Sequence, residues 1–304
     1  MMKSQQLQDT ALRYFLEVVR CGSISEASQR LNVASSAISR QISSLEQALD
    51  TVLFERRPRG MVLSAGGEML AAHARKMALE ADRVVADLQA LKGLRSGRVR
   101  LSASEGFAID FLPRLIHGFQ EKYPGFVFQV FVGAPAAVSR QVREGNADIG
   151  LTFTRLPEAE IKVVHRQPGP ISLVMRPDHP LARFRQVSLS QIRPYPMALP
   201  DPTTTLRQLF DIACSRQQMV VEPVVTSNYI QTLHNYLLDN DALSITGEVT
   251  VRYRIASGEL VIRPIRDCPH DGRYIEVQTL AGRTLPRSVE IFLDYLVAEL
   301  SKDL

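Results

Sequence analysis

No stretch of about 18 consecutive apolar residues occurs in the chain, so no segment reads as a membrane-spanning helix. The first ten residues, Met1 to Thr10, are polar where a secretory signal would carry an apolar run, and the protein is expected to stay in the cytoplasm. Cysteine is scarce. Cys21, Cys214 and Cys268 are odd in number, far apart and in no CxxC spacing, which argues against a disulfide framework or a zinc site. No metal or other cofactor is expected. Catalytic signatures are missing too: there is no GxSxG elbow, P-loop, GxGxxG turn or HExxH helix. The six histidines, His73, His117, His165, His179, His234 and His270, lie scattered without partners at useful spacing. An enzyme is not expected.

What the chain does contain is enough for real cores. Its 304 residues suit two or three domains, and 45% hydrophobic with 22% charged residues is ordinary globular composition. A formal net charge of +4 permits nucleic-acid binding without demanding it. Only six of the 36 basic side chains are lysine, so most are arginine forks, which grip phosphates and guanine edges well.

From Leu7 to Val19, the residues Leu12, Phe15, Leu16 and Val19 recur at helical spacing, and Cys21-Gly22 closes the segment. Ser23-Ile24-Ser25-Glu26 is a capping box, in which Ser23 caps the backbone while Glu26 reaches back, so a short second helix runs to about Leu31. Asn32-Val33-Ala34 makes a tight connection. Ser35 or Ser36 can cap a third helix with a buried side of Ile38, Ile42, Leu45 and Leu49. Two helices on so short a turn make a helix-turn-helix. The wet side of the third helix carries Ser35, Ser36, Ser39, Arg40 and Ser43, short hydroxyls that allow close approach to bases beside an arginine that can reach guanine or phosphate. Two short strands follow around a Pro/Gly turn with Arg56, Arg57 and Arg59, the pattern of a DNA-gripping wing.

These residues carry a resemblance. Ala11-Leu12-Arg13-Tyr14-Phe15, Ser23 to Ser28, Leu31-Asn32-Val33, Ala37 to Ile42 with Leu45-Glu46, Leu53-Phe54-Glu55-Arg56 and Leu63-Ser64-Ala65-Gly66-Gly67 resemble the LysR-type transcriptional regulators over about the first 65 residues. Ser35-Ser36 stands where many members have a glutamine and a proline. The expected DNA contacts are Ser23, Ser35, Ser36, Ser39, Arg40, Ser43, Arg56, Arg57 and Arg59 on double-stranded promoter DNA, with RNA polymerase a further partner if the protein activates.

After Ser64, a candidate N-cap, the proline-free segment from Gly66 to Leu94 reads as one helix. Leu70, Met77, Val84 and Leu91 share one heptad position, and Ala74, Ala81 and Leu88 the position four residues on. A seam of Leu70, Met77, Ala81, Val84, Leu88 and Leu91 is expected to pair with a second copy. A two-fold dimer demands a roughly palindromic site. The resemblance adds association of dimers into a homotetramer.

Gly93-Leu94-Arg95-Ser96-Gly97 is a hinge by composition, and alternating strands and helices follow. Val99 to Ala103, Phe126 to Val132 and Ala147 to Phe153 read as strands, with helices after the first and second. A mostly parallel sheet is expected. A second set comprises strands Ile171 to Arg176, Pro196 to Leu199, Val220 to Val225 and Leu243 to Thr246, with helices Thr204 to Arg216 and Tyr229 to Leu238; strand Tyr274 to Leu280 and helix Pro286 to Leu300 close the chain. The resemblance implies a two-lobed, periplasmic-binding-protein-like α/β effector domain. The expected organisation is 1–64 winged helix-turn-helix, 65–94 linker and dimerisation helix, and 95–304 effector domain, with lobe I about 95–168 and 271–304 and lobe II about 169–270.

Ligands of open α/β sheets sit beyond the carboxyl ends of the strands. The candidates there are Ser104, Glu105, Gly106, Thr152, Phe153, Thr203, Thr204, Ser227, Asn228 and Thr246, and their convergence on one cleft is implied by the resemblance. The helix after Ser104 is expected to start near Ala108 or Asp110. If Glu105 faces solvent or caps its own helix, the effector is expected to be a small carboxylate or similar anion; if it points inward, a cationic or amino-bearing molecule. Two rivals remain on sequence grounds. A plain solute-binding protein would need an export signal and no helix-turn-helix, and an architectural DNA-binding protein would not need the sensing domain.

Overall fold

The computed structural model describes residues 4, 6–57, 60–91, 96–154, 158–268 and 272–302, with only the backbone of Arg56. Two compact units emerge, Met1–Leu94 with Arg283–Arg287, and Arg95–Gly282 with Ser288–Leu304. The expected hinge at Gly93-Leu94-Arg95 and the expected helical residues 92–94 lie outside the described residues.

The first unit is α1 (Thr10–Cys21), α2 (Ile24–Leu31), α3 (Ser35–Leu49), the antiparallel pair β1 (Phe54–Arg57) and β2 (Gly60–Leu63), and α4 (Ala65–Ala90). Local chemistry sets its boundaries. The Asp9 carboxylate accepts from the Ala11 and Leu12 amides at 2.8 and 3.1 Å and starts α1, while Gly22 ends it in the left-handed region at φ +64°. Ser23 Oγ accepts from the Glu26 amide at 3.4 Å, half of the expected box; Glu26 Oε1 instead accepts from Arg30 at 2.7 Å. A partner one turn on, of opposite charge, outcompetes a backbone amide here. The core is Phe15, Val18, Ala27, Ile38, Ile42, Leu53 and Phe54, with Leu70 and Ala71 of α4 packed onto it. Leu49, expected on the inner side of α3, is half exposed because the helix ends there, with Asp50 in the left-handed conformation.

The second unit contains β3 (Ser96–Ala103), α5 (Glu105–Ala108), α6 (Phe111–Lys122), β4 (Gly125–Val132), α7 (Pro135–Arg143), β5 (Ile149–Thr154) and β6 (Ile161–Pro168). There follow β7 (Ser172–Met175), α8 (Leu189–Ile192), β8 (Ala198–Pro200), α9 (Thr205–Arg216), β9 (Val225–Ser227), α10 (Ile230–Leu238), β10 (Ser244–Thr246), α11 (Glu248–Ala256), β11 (Val261–Pro264), β12 (Tyr274–Leu280) and α12 (Arg287–Leu300). A five-stranded sheet in the order β4-β3-β5-β12-β6 forms one lobe, and β10-β7-β11 with the β8-β9 pair forms the other.

The five-stranded sheet is mixed, not mostly parallel as expected. β3 is parallel to β4 and β5, but β12 returns from the second lobe and runs antiparallel to both β5 and β6. Strand β6, α11 and β11 escaped the pattern reading. The strand expected over 220–225 begins only at Val225, because Pro223 has no amide to give a ladder. The first lobe's core is an aromatic cluster about Phe119, with Phe126 and Phe292 each 5.1 Å away.

Candidate functional site

On the first unit, the outer side of α3 exposes Ser36, Ser39, Arg40 and Ser43 while Ile38 and Ile42 point into the core. Ser35 takes a different part. It does not cap α3, whose N-cap is Ala34 without a side-chain bond, and its hydroxyl donates to Ser28 Oγ at 2.9 Å, tying α3 to α2. Ser23 likewise spends its hydroxyl on capping α2. Arg57 is exposed and pairs with Glu55 at 3.1 Å, a bond that water screens to little net strength. Arg59 and the Arg56 side chain lie outside the described residues.

On α4, Ser64 is the N-cap as expected: its Oγ accepts from the Gly67 amide at 3.0 Å and donates to the Val52 carbonyl at 2.5 Å. The heptad seam divides. Ala74 and Ala81 are buried and Leu70 packs on the winged-helix core, whereas Met77, Leu88 and Leu91 are exposed and Val84 is half buried.

In the second unit a cavity of about 460 Å³ opens where the strand ends of the two lobes face each other. Ser104, Glu105, Gly106, Phe153, Thr203, Thr204, Ser227, Asn228 and Thr246 all line it. Thr152 does not; it is fully buried, its Oγ1 2.8 Å from Ser104 Oγ, because the strand's alternation turns it away from the mouth. Several lining hydroxyls already have local partners. Thr204 Oγ1 accepts from the Arg207 amide at 3.2 Å and starts α9, Ser227 Oγ accepts from the Tyr229 amide at 3.0 Å, and Thr203 Oγ1 donates to Asp201 at 2.6 Å.

Glu105 follows neither expected case. The expected helix does start at Asp110, the N-cap of α6, but the short helix α5 precedes it and begins at Glu105 itself, whose side chain reaches the second lobe. There Oε1 accepts from the Ile230 amide at 2.8 Å, so the first lobe's carboxylate caps the second lobe's α10. Burial raises its pKa, and the bonds from the Ile230 and Gln231 amides oppose that rise.

Sequence reading missed much of the remaining lining of this cavity. Gly133-Ala134-Pro135 at the start of α7, Thr250 on α11 and Arg273 just before β12 all line it. Pro135 was legible as a helix-starting proline, but nothing in the local pattern marks Arg273. Its Nη1 donates to the Gly169 carbonyl at 2.8 Å, and its guanidinium lies 3.7 Å from the centre of the Phe153 ring.

A winged helix-turn-helix and a two-lobed unit with a cavity at its strand ends define a DNA-binding protein that carries a ligand-binding domain. Residues 10–68 match the bacterial regulatory helix-turn-helix model of the lysR family, and residues 92–301 match the LysR substrate binding domain. The chain belongs to the LysR family of transcriptional regulators. Its relatives include a RuBisCO operon transcriptional regulator of Acidithiobacillus ferrooxidans, 24% identical over 94% of this chain and 92% of that protein. Another is the HTH-type transcriptional regulator CysL of Bacillus subtilis, 23% identical over 84% and 86%. Among solved structures, full-length OxyR of Pseudomonas aeruginosa superposes with a TM-score of 0.69 at 20% identity, covering 94% of this chain and 93% of that one. CbnR, a LysR family transcriptional regulator, gives 0.52 at 17%, covering 94% and 98%. The protein is therefore a transcriptional regulator and not an enzyme. Among the described residues no helix is long and apolar enough to cross a membrane.

Proposed function

We propose that this regulator works in the cytoplasm, reads a two-fold related promoter site through the exposed side of α3, and takes its effector in the cavity between its two lobes. The observation that carries the DNA-reading role is Arg40, exposed on α3 among Ser36, Ser39 and Ser43. A guanidinium beside short hydroxyls has the reach and the fork to pair with guanine. Arg40→Ala is expected to lower affinity for the specific operator by about 5- to 150-fold, the equivalent of roughly 1 to 3 kcal/mol, with folding and oligomeric state unchanged. Gel-shift titration against specific and scrambled DNA reads this. An equal fall on both would make Arg40 a phosphate contact and remove the base-reading role.

Dimerisation is assigned to the exposed part of the α4 seam. Met77, 49% exposed, and Leu88, 57% exposed, are apolar side chains that a second copy would cover. Met77→Lys places a charge in that seam, and light scattering is expected to show a smaller species with weakened operator binding. The parent mass at all concentrations would exclude this stretch as the main dimer contact.

A further inference from the structure

Arg273 is the feature of the effector cavity that the family assignment does not explain. It is 4% exposed, its Nε is buried without a hydrogen-bond partner, and among the described residues no carboxylate pairs with it. Other arginines of the same unit do have acids: Arg100 pairs with Asp148 at 2.6 Å, Arg207 with Asp211 at 2.7 Å and Arg252 with Glu248 at 3.0 Å. Burial pushes the Arg273 pKa down to about 9, which still leaves it cationic near neutral pH. An uncompensated buried cation is costly, so a group of opposite charge that binds beside it gains much of that cost back.

The surroundings make the deficit larger. A Cβ placed on Gly247 would lie 3.0 Å from Arg273 Nη1 and 3.5 Å from Nη2, so the guanidinium sits against the N-cap of α11. The start of a helix carries partial positive charge and free amides, and Gly247 offers no side chain to cap them. Helix α7 also opens on the cavity with an N-cap, Ala134, that makes no side-chain bond. The cavity's own acid, Glu105, is committed to the Ile230 amide. Val132, Pro135, Leu206 and Ile230 supply apolar lining.

We infer that the effector is a small organic carboxylate whose anionic group lies between the Arg273 guanidinium and the N-terminus of α11, with an apolar body against the remaining walls. This rests on the reading of the cavity as the effector site. The arginine fork presents two donors to one carboxylate, and the amides at the start of α11 supply further donors to the same group.

The test is thermal denaturation of the full chain at fixed ionic strength with benzoate, hexanoate, succinate and inorganic phosphate, and with benzamide, hexanamide and succinamide. At least one carboxylate is expected to raise the effector unit's midpoint saturably while its amide does not. Arg273→Met is expected to weaken that carboxylate at least tenfold, and Arg273→Lys, which keeps the charge and loses the fork, to weaken it less. Ligand-free Arg273→Met should melt higher by about 3 °C, since a buried charge without its counter-ion is gone. Ser227→Trp fills the cavity without touching the charge and should abolish the shift. A carboxylate shift that survives Arg273→Met but not Ser227→Trp overturns the anchor and leaves the cavity reading standing. Survival in both overturns both. A shift by phosphate alone, equal shifts by acid and amide, no carboxylate shift at all, or a lower ligand-free midpoint in Arg273→Met also overturns the inference.

Discussion

Gly67→Ala is expected to cost the DNA-binding unit about 3 kcal/mol and to remove most operator binding at 37 °C. Gly67 lies in the first turn of α4, and a Cβ there would overlap the carbonyl oxygen of Leu53 and crowd the Leu63 side chain. The obstacle is backbone at the end of the turn leading into β1, held by Leu53 N–H donation to Glu46 Oε1 at 2.8 Å, and cannot rotate away. Overpacking against such an obstacle costs roughly 1 to 3 kcal/mol or more, a large part of a small domain's stability. Calorimetry should show the first unit melting at lower temperature. The neighbouring Gly66→Ala meets chiefly a Thr51 methyl, at the far end of a side chain, and should cost less. Equal melting of Gly67→Ala and the parent would refute the packing argument.

His234 should make the effector unit acid-labile. It is fully buried on α10, and neither ring nitrogen has a partner among the described residues. Burial, and after it the charge of Arg254, pushes its pKa down to about 3 from the ordinary value of 6.5. The folded state therefore binds this proton less readily than the unfolded chain does. The stability that neutral, buried His234 allows is thus fully present above pH 6.5 and is lost as pH falls from there towards 3. Its full size is on the order of 5 kcal/mol. His234→Leu should raise the melting midpoint at pH 5 by more than at pH 7.5, and move the acid-unfolding midpoint lower. The same change at both pH values would show that His234 does not titrate on unfolding.

The thiols respond to the same burial. Cys214 and Cys268 belong to the second lobe's core, and burial pushes their pKa values up to about 12 and about 11. They are scarcely ionised at neutral pH and behave as small apolar side chains.

Much of the first unit is legible in its sequence because its boundaries come from neighbours in the chain. Asp9 caps residues two and three places on, Ser64 caps Gly67, and Gly22 takes a left-handed turn that side chains resist. Such interactions close within one helical turn, so a short window contains both partners. The heptad pattern of α4 was equally visible, yet period alone names no partner. Leu70 and Ala71 turned out to pack on the chain's own winged-helix core, because an apolar stripe is buried by whichever surface meets it.

By itself, then, the sequence determined the winged helix-turn-helix, the long helix after it, and the strand ends from which Ser104, Thr203, Ser227 and Thr246 reach a common cavity. Only the tertiary structure decided what those residues meet there. Glu105 finds its partner 125 positions away at Ile230, and Arg273 stacks on Phe153 and bonds Gly169 across 104 positions. The return of β12 between β5 and β6 brings Arg273 to the cavity and makes the sheet mixed. No local preference encodes such pairings, since the direction of a returning strand and the surroundings of a buried charge depend on how distant segments share one core.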